Sequence, residues 1–261
     1  MKLHQKNFSP GIGTTDPDFA LRLSQFSKIK IYFLSRKITI VLLLLWIVGG
    51  CSQNLPLSAQ TMKTHHLADG TFRNNYLEST DKSFSSFLRW KWNRVAPEPV
   101  AFPMADNDPE FFKNNRSEPT LTWIGHSTLL LQFEGLNILT DPHLTRRASP
   151  VSFAGPERYM KPGISIEDLP HIDLIVISHN HYDHLDRLTL EKIHQKQKDQ
   201  PPRIFVPLNQ KEWFEDLEIP NVVEMDWWEE QEYLEWKIHA VPVQHWSGRK
   251  LWDRNQALWA G

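Results

Sequence analysis

Residues 177–186 read ISHNHYDHLD, and they continue the apolar run DLIVIS at 173–178. Histidines and aspartates are thus crowded onto the end of what reads as a core strand. In an extended chain, residues two apart face the same way, so His179 and His181 aim both imidazoles at one point if extension continues past Ser178. Asp183 and His184 follow a turn, near the start of the next helix, and reach a neighbouring point. Imidazole nitrogen and carboxylate oxygen are the donors Zn²⁺ prefers and Mn²⁺ or Fe²⁺ accept. A third nitrogen is needed to close a site. His245, at the end of the run HAVPVQH, is expected to supply it from a strand end. The pattern His-x-His-x-Asp-His is specific in a way that a lone His-x-His is not.

Working outward, the 261 residues have room for one sizeable core, or one core with appendages. Eleven Trp and 18 Pro point to long ordered loops rather than dense helix. Charge is uneven: residues 1–50 hold seven Lys/Arg and two Asp/Glu, whereas the remainder holds 22 basic and 29 acidic residues. A nucleic-acid binder would carry the opposite sign on its folded part, so that class is excluded.

One cysteine, Cys51, excludes an intramolecular disulfide. Upstream of it stand the basic stretch KIKIYFLSRK and the largely apolar run Ile38–Val48, too short to span a bilayer but suited to a signal-peptide core. VGGC then resembles a bacterial lipobox, in which cleavage leaves the cysteine N-terminal and lipid-modified. The expectation is a cell-envelope lipoprotein, anchored to the membrane at Cys51 and facing the periplasm or exterior. Three segments follow: 1–51 signal and lipoprotein segment, 52–115 tether and N-terminal extension, and 116–261 the folded domain. Within the second, SQNLPLSAQTMKTHHLADGT reads as a polar tether, and Phe84, Phe87 and Leu88 fall at helical spacing.

From Leu121 the order is legible. Leu121–Ile124, Thr128–Phe133 and Asn137–Thr140 form an antiparallel meander, and DLIVIS is a strand covered on both faces. LDRLTLEKIHQKQK is a helix carrying Leu185, Leu188 and Ile193, RIFVPL another strand, KEWFEDL a helical turn, and VVEMD and KIHAVPVQH further strands. This alternation indicates a layered α/β or α+β sandwich.

The pieces WIGHST, LTDP, RASP, GPERY, LPHIDLIVISHNHYDHLD, VPL, EMDWWEE, QHW and LWAG, in that order from Leu121 to the end, carry a resemblance. The chain is similar to the metallo-β-lactamase-fold hydrolases, and within them to the N-acylphosphatidylethanolamine-hydrolysing phospholipase D branch and its bacterial relatives. That resemblance implies a four-layer αββα sandwich with one or two Zn²⁺ ions. His179, His181 and His245 would form a three-histidine site, and Asp183 and His184 two ligands of a second. Asp141 would stand behind the ligands and orient an imidazole. His126 would lie near the pocket or be a hydrogen-bonded structural histidine; Asp226, Trp227 and Trp228 would line its mouth or sit in the core. The activity implied is metal-assisted hydrolysis of a phospholipid phosphodiester on its head-group side, releasing phosphatidic acid. A general phosphodiesterase or lactonase, or a non-catalytic envelope lipoprotein, is the alternative. In these hydrolases a bridging aspartate and a last histidine come from strands beyond LWAG. The sequence ends at Gly261, ahead of both, and reads as C-terminally truncated, with a sandwich incomplete at that end.

Overall fold

Runs of Leu, Ile, Val and Phe separated by turn residues become strands wherever both their faces find cover. The computed structural model describes residues 64–76, 84–95 and 103–261, so Cys51 and the signal-like segment lie outside the described residues. The elements are α1 (Phe84–Asn93), α2 (Pro109–Asn114), β1 (Thr120–Gly125), β2 (Thr128–Phe133), β3 (Leu136–Thr140), β4 (Leu174–Val176), α3 (Arg187–Lys196), β5 (Arg203–Pro207), α4 (Lys211–Glu215), β6 (Val222–Met225), β7 (Glu230–Tyr233) and β8 (Trp236–His239). Among the described residues, no helix is long and apolar enough to cross a membrane.

Strands β1 to β6 form one sheet in sequence order. β1–β2 and β2–β3 pair antiparallel, as the meander predicts, and β3–β4, β4–β5 and β5–β6 pair parallel. The β2–β3 hairpin closes through Glu134 and Gly135, both at positive φ, in the two-residue loop that matches strand twist.

Strand periodicity divides the core between the two sheet faces. Leu139, Ile175, Ile204 and Val206 point to one face and pack with Leu190 and Ile193 of α3 and Phe214 of α4. Ile138, Leu174, Phe205 and Met225 point to the other, against Trp227, Leu258 and Trp259, with Trp236 and Ile238 of the β7–β8 hairpin alongside. The described residues therefore form a mixed α/β fold: helices on one face of a central sheet, a hairpin and the last residues on the other. A second helical layer of the expected αββα sandwich is not seen among them.

Three details depart from the sequence reading. Helix α3 buries Thr189, Leu190 and Ile193, whereas Leu188 is half-exposed; Leu185 is buried in the preceding turn. KIHAVPVQH is a strand only to His239. Beyond it Val241 exchanges both backbone hydrogen bonds with Gly261, and His245 sits on irregular chain, not at a strand end. From Thr64 onward the polar stretch read as tether is held to the fold by individual residues. His65 is 0% exposed and Phe72 joins the core, because a buried carboxylate 160 residues away in sequence takes up both histidines. Composition alone cannot show such a partner.

Candidate metal centre

The site lies where β3 and β4 end. Asp141 follows β3 directly, and Ser178, His179 and His181 follow β4, so adjacent parallel strands deliver them to one edge of the sheet. The β1–β2 turn, Gly125–Thr128, lies at the same edge, and Thr128 Oγ1 donates to the Asp141 carbonyl at 2.7 Å. Gly125 has φ +142°, and the Arg158 guanidinium occupies the space a Cβ would need. His126 follows at φ +52°, and this left-handed turn aims its ring inward.

Two donor sets converge. In the first, His179 Nε2 lies 2.8 Å from His181 Nδ1 and 2.9 Å from His245 Nε2, with 3.3 Å between the latter two. In the second, His126 Nε2 lies 2.9 Å from Asp183 Oδ2 and 3.3 Å from His184 Nε2. Each set offers three ligand atoms within a few ångströms.

The chemistry of the first set fits a cation. Three ring nitrogens stand close enough together to offer their lone pairs to a single ion. A tetrahedral ion at Zn–N of about 2.0–2.1 Å needs nitrogen–nitrogen edges of about 3.3 Å, close to the triangle observed. The tautomer of His179 is set from behind. Its Nδ1 donates to Ser178 Oγ at 2.8 Å, and that hydroxyl donates on to Asp141 Oδ2 at 2.7 Å, leaving Nε2 as the free acceptor. His181 enters through Nδ1, and its buried Nε2 has no hydrogen-bond partner among the described residues.

Asp141 is the hub behind both sets. Its carboxylate accepts from the Ser178 N–H at 2.7 Å, the Ser178 hydroxyl, and His184 Nδ1 at 2.8 Å. Its own φ of +36° is strained for a residue other than glycine, and the surrounding bonds hold it there. Ser178 was not singled out in the sequence; its place directly before the first histidine is the signal that could have found it. Asp141→Ala is expected to weaken metal affinity by about 10–100-fold, since imidazoles remain but lose their orientation. A chelator-competition titration checks this, and an unchanged affinity would remove Asp141 from the role.

Electrostatics keep the first set in its ligating form. Burial, then repulsion from His184, His245 and His181, pushes His179 down to about 2; burial and His245 push His181 down to about 4; burial and His184 lower His245. Burial opposes ionisation of Asp183, but the hydrogen bond from His126 and the charge of His184 outweigh it and hold its carboxyl well below the usual range. The same hydrogen bond raises His126.

A group depressed from 6.5 in this way binds fewer protons folded than unfolded, so it contributes stability above 6.5 that is lost as pH falls towards the folded value. His126 has the opposite sign, but three groups outweigh one. The metal-free protein is expected to lose on the order of 2 kcal/mol from His179 alone between about pH 7 and 5. Urea midpoints at three pH values check it; a flat or rising series would contradict the sign.

Other candidate residues sit elsewhere. Asp226 belongs to neither donor set: His65 Nε2 and His66 Nε2 donate to its two oxygens at 2.6 and 2.8 Å. Burial disfavours its charge, but these two histidines hold the carboxyl low. Trp227 is a core residue whose indole donates to the Trp259 carbonyl, and Trp228 is half-exposed.

Residues 136–261 match the family model described as the Beta-lactamase superfamily domain, and this stretch of the chain is a domain of that superfamily, with the metallo-β-lactamase type of fold. Its relatives include the N-acyl-phosphatidylethanolamine-hydrolyzing phospholipase D branch. The chain is 41% identical over 151 residues to N-acyl-phosphatidylethanolamine-hydrolyzing phospholipase D 1 of Caenorhabditis elegans, covering 54% of this chain and 41% of that one. It is 38% identical over 142 residues to the mitochondrial N-acyl-phosphatidylethanolamine-hydrolyzing phospholipase D of Saccharomyces cerevisiae, covering 53% and 30%. A UPF0173 metal-dependent hydrolase of Aeropyrum pernix is 42% identical over 65 residues, covering 25% and 22%. The chain spans less than half the length of these curated relatives.

Proposed function

We propose that this chain serves metal-dependent hydrolysis of a phosphodiester, with an N-acylphosphatidylethanolamine-type phospholipid as substrate and cleavage on its head-group side. The observation that carries the reading is the convergence of His179, His181 and His245 ring nitrogens within 2.8–3.3 Å, backed by the Ser178–Asp141 relay. Zn²⁺ is the ion proposed for these three, and His126, Asp183 and His184 would hold a second. When bound, the ion supplies Lewis acidity towards a phosphoryl oxygen and acidifies water. The protein's part is to keep three imidazoles neutral and fixed.

Two further features support a lipid substrate. Relatives in the worm and yeast carry that activity in their names. The loop after His245 carries Leu251 and Trp252 at 94% and 73% exposure beside Lys250, apolar and basic groups together on one exposed loop. Lipid modification of Cys51 would place the chain at a membrane in the cell envelope. Mass spectrometry of the membrane fraction tests this: an intact peptide across residues 40–60 as sole species would defeat it.

The experiment for the activity is incubation of the zinc-loaded protein with N-acylphosphatidylethanolamine in mixed micelles, with phosphatidic acid read by mass spectrometry. Release of phosphatidic acid that stops on chelation is expected. Hydrolysis of bis(p-nitrophenyl) phosphate or a lactone without the phospholipid would instead favour the general phosphodiesterase or lactonase.

A further inference from the structure

The donor atom hardest to explain from its own neighbourhood is that of His245. It stands on irregular chain, after the strand has ended, yet its Nε2 meets the other two within 2.9 and 3.3 Å. What fixes its backbone comes from 171 residues earlier. Asn74 Nδ2 donates to the His245 carbonyl at 2.9 Å, and the His245 N–H donates to Asn74 Oδ1 at 3.0 Å. One planar carboxamide thus satisfies both backbone groups of a single residue, as a neighbouring strand would, and suppresses rotation of that residue's backbone.

Asn74 is itself held by a folded strap, residues 64–76. At its start, His65 and His66 grip the buried Asp226 carboxylate, and His65 stacks on Trp227 at 4.3 Å between ring centroids. Internally, Leu67 N–H donates to the Thr71 carbonyl and Arg73 N–H to that of His65. Phe72 is buried, and its N–H donates at 2.8 Å to the Asn255 carbonyl; Asn255 N–H in turn donates to the Ser247 carbonyl at 2.9 Å. The loop bearing His245 is therefore tied at two points, Asn74 to His245 and Phe72 to Asn255, by a segment whose other end is pinned to the core. Adjacent histidines ordinarily point apart; here both turn to one carboxylate, which anchors the strap at two atoms.

We propose that the strap 64–76 sets the position of the third metal-ligating nitrogen, with Asn74 as the positioning residue for His245; this rests on the reading of His179, His181 and His245 as a metal centre. What matters is that an amide supplies a donor and an acceptor in one plane, and that it is attached to something rigid. Without it, His245 keeps its side chain but loses its aim, and a ligand free to wander costs the site the entropy of recapturing it on binding.

The test uses the full chain loaded with Zn²⁺ or, for spectroscopy, Co²⁺. Asn74→Ala is expected to weaken metal affinity by about 10–100-fold and to lower the intensity of the Co²⁺ ligand-field bands, as a displaced imidazole gives way to solvent. Arg73→Ala, which removes a neighbouring strap side chain whose hydrogen bond among the described residues goes to the Thr64 carbonyl, should leave both readouts unchanged. Asn74→Asp, of the same shape, keeps the acceptor but loses the donor, so an intermediate loss is expected; it serves if the alanine variant fails to fold. The deciding measurement is a double-mutant cycle. If Asn74 acts through His245, Asn74→Ala adds no further loss of affinity in a His245→Ala background. Additive losses, or a wild-type Co²⁺ spectrum in Asn74→Ala and Asn74→Asp, would overturn the proposal while leaving the metal centre standing. Unaltered metal affinity in His179→Ala would instead remove the metal centre itself.

Discussion

His179→Ala is expected to abolish tight metal binding and hydrolysis together. His179 is the middle of the three-nitrogen set: its Nε2 is 2.8 Å from His181 Nδ1 and 2.9 Å from His245 Nε2, and it is 4% exposed. Alanine leaves two imidazoles, 3.3 Å apart, with no third face to the site. It also releases Ser178 Oγ from His179 Nδ1, so the relay to Asp141 loses one end. The loss should exceed the roughly 10–100-fold typical of residues that only orient a ligand, which makes Asp141→Ala the internal comparison. Metal content by mass spectrometry after dialysis is the measurement. Full occupancy in the His179→Ala and His181→Ala proteins would refute the assignment of this set.

Trp259→Ala is expected to cost about 3–5 kcal/mol, the range for removing a large aromatic from a packed interior. Trp259 is 0% exposed, its indole N–H donates to the Val243 carbonyl at 2.9 Å, and its own carbonyl accepts from Trp227. Such a loss is a large share of the about 5–15 kcal/mol that ordinarily holds a domain together. The damage should reach the site as well. Ala260 N–H donates to the Ser178 carbonyl at 2.9 Å, so the segment that Trp259 seats also braces the residue before His179. Denaturant unfolding measures the first effect. Trp252→Ala, at an exposed position, should stay within about 0.5 kcal/mol of wild type and controls for losing an indole as such. A Trp259→Ala protein that unfolds at the wild-type midpoint would show that the last residues are not part of the core.

Part of this was legible in sequence because it is local. The continuous apolar runs over Leu174–Val176 and Arg203–Pro207 are a property of neighbouring residues, and they mark strands covered on both faces before any partner is known. His179, His181, Asp183 and His184 come together for the same reason: they lie within six positions on one strand exit. His245 was expected from its place at the end of HAVPVQH, and the resemblance carried by the ordered motifs added Asp141.

Tertiary structure decided the rest. Only the folded chain shows that Asp226 belongs to His65 and His66 rather than to the pocket, since 160 residues separate the partners and a carboxylate is equally at home in either place. Only the fold brings His126 within 2.9 Å of Asp183, because a left-handed turn decides where its ring points. His245 makes the same point most strongly. Its sequence neighbours Val241 and Val243 suggest a strand, but the backbone partner it finds is a side-chain amide from the strap, and hydrogen-bond partners between distant segments are settled by packing, not by local propensity.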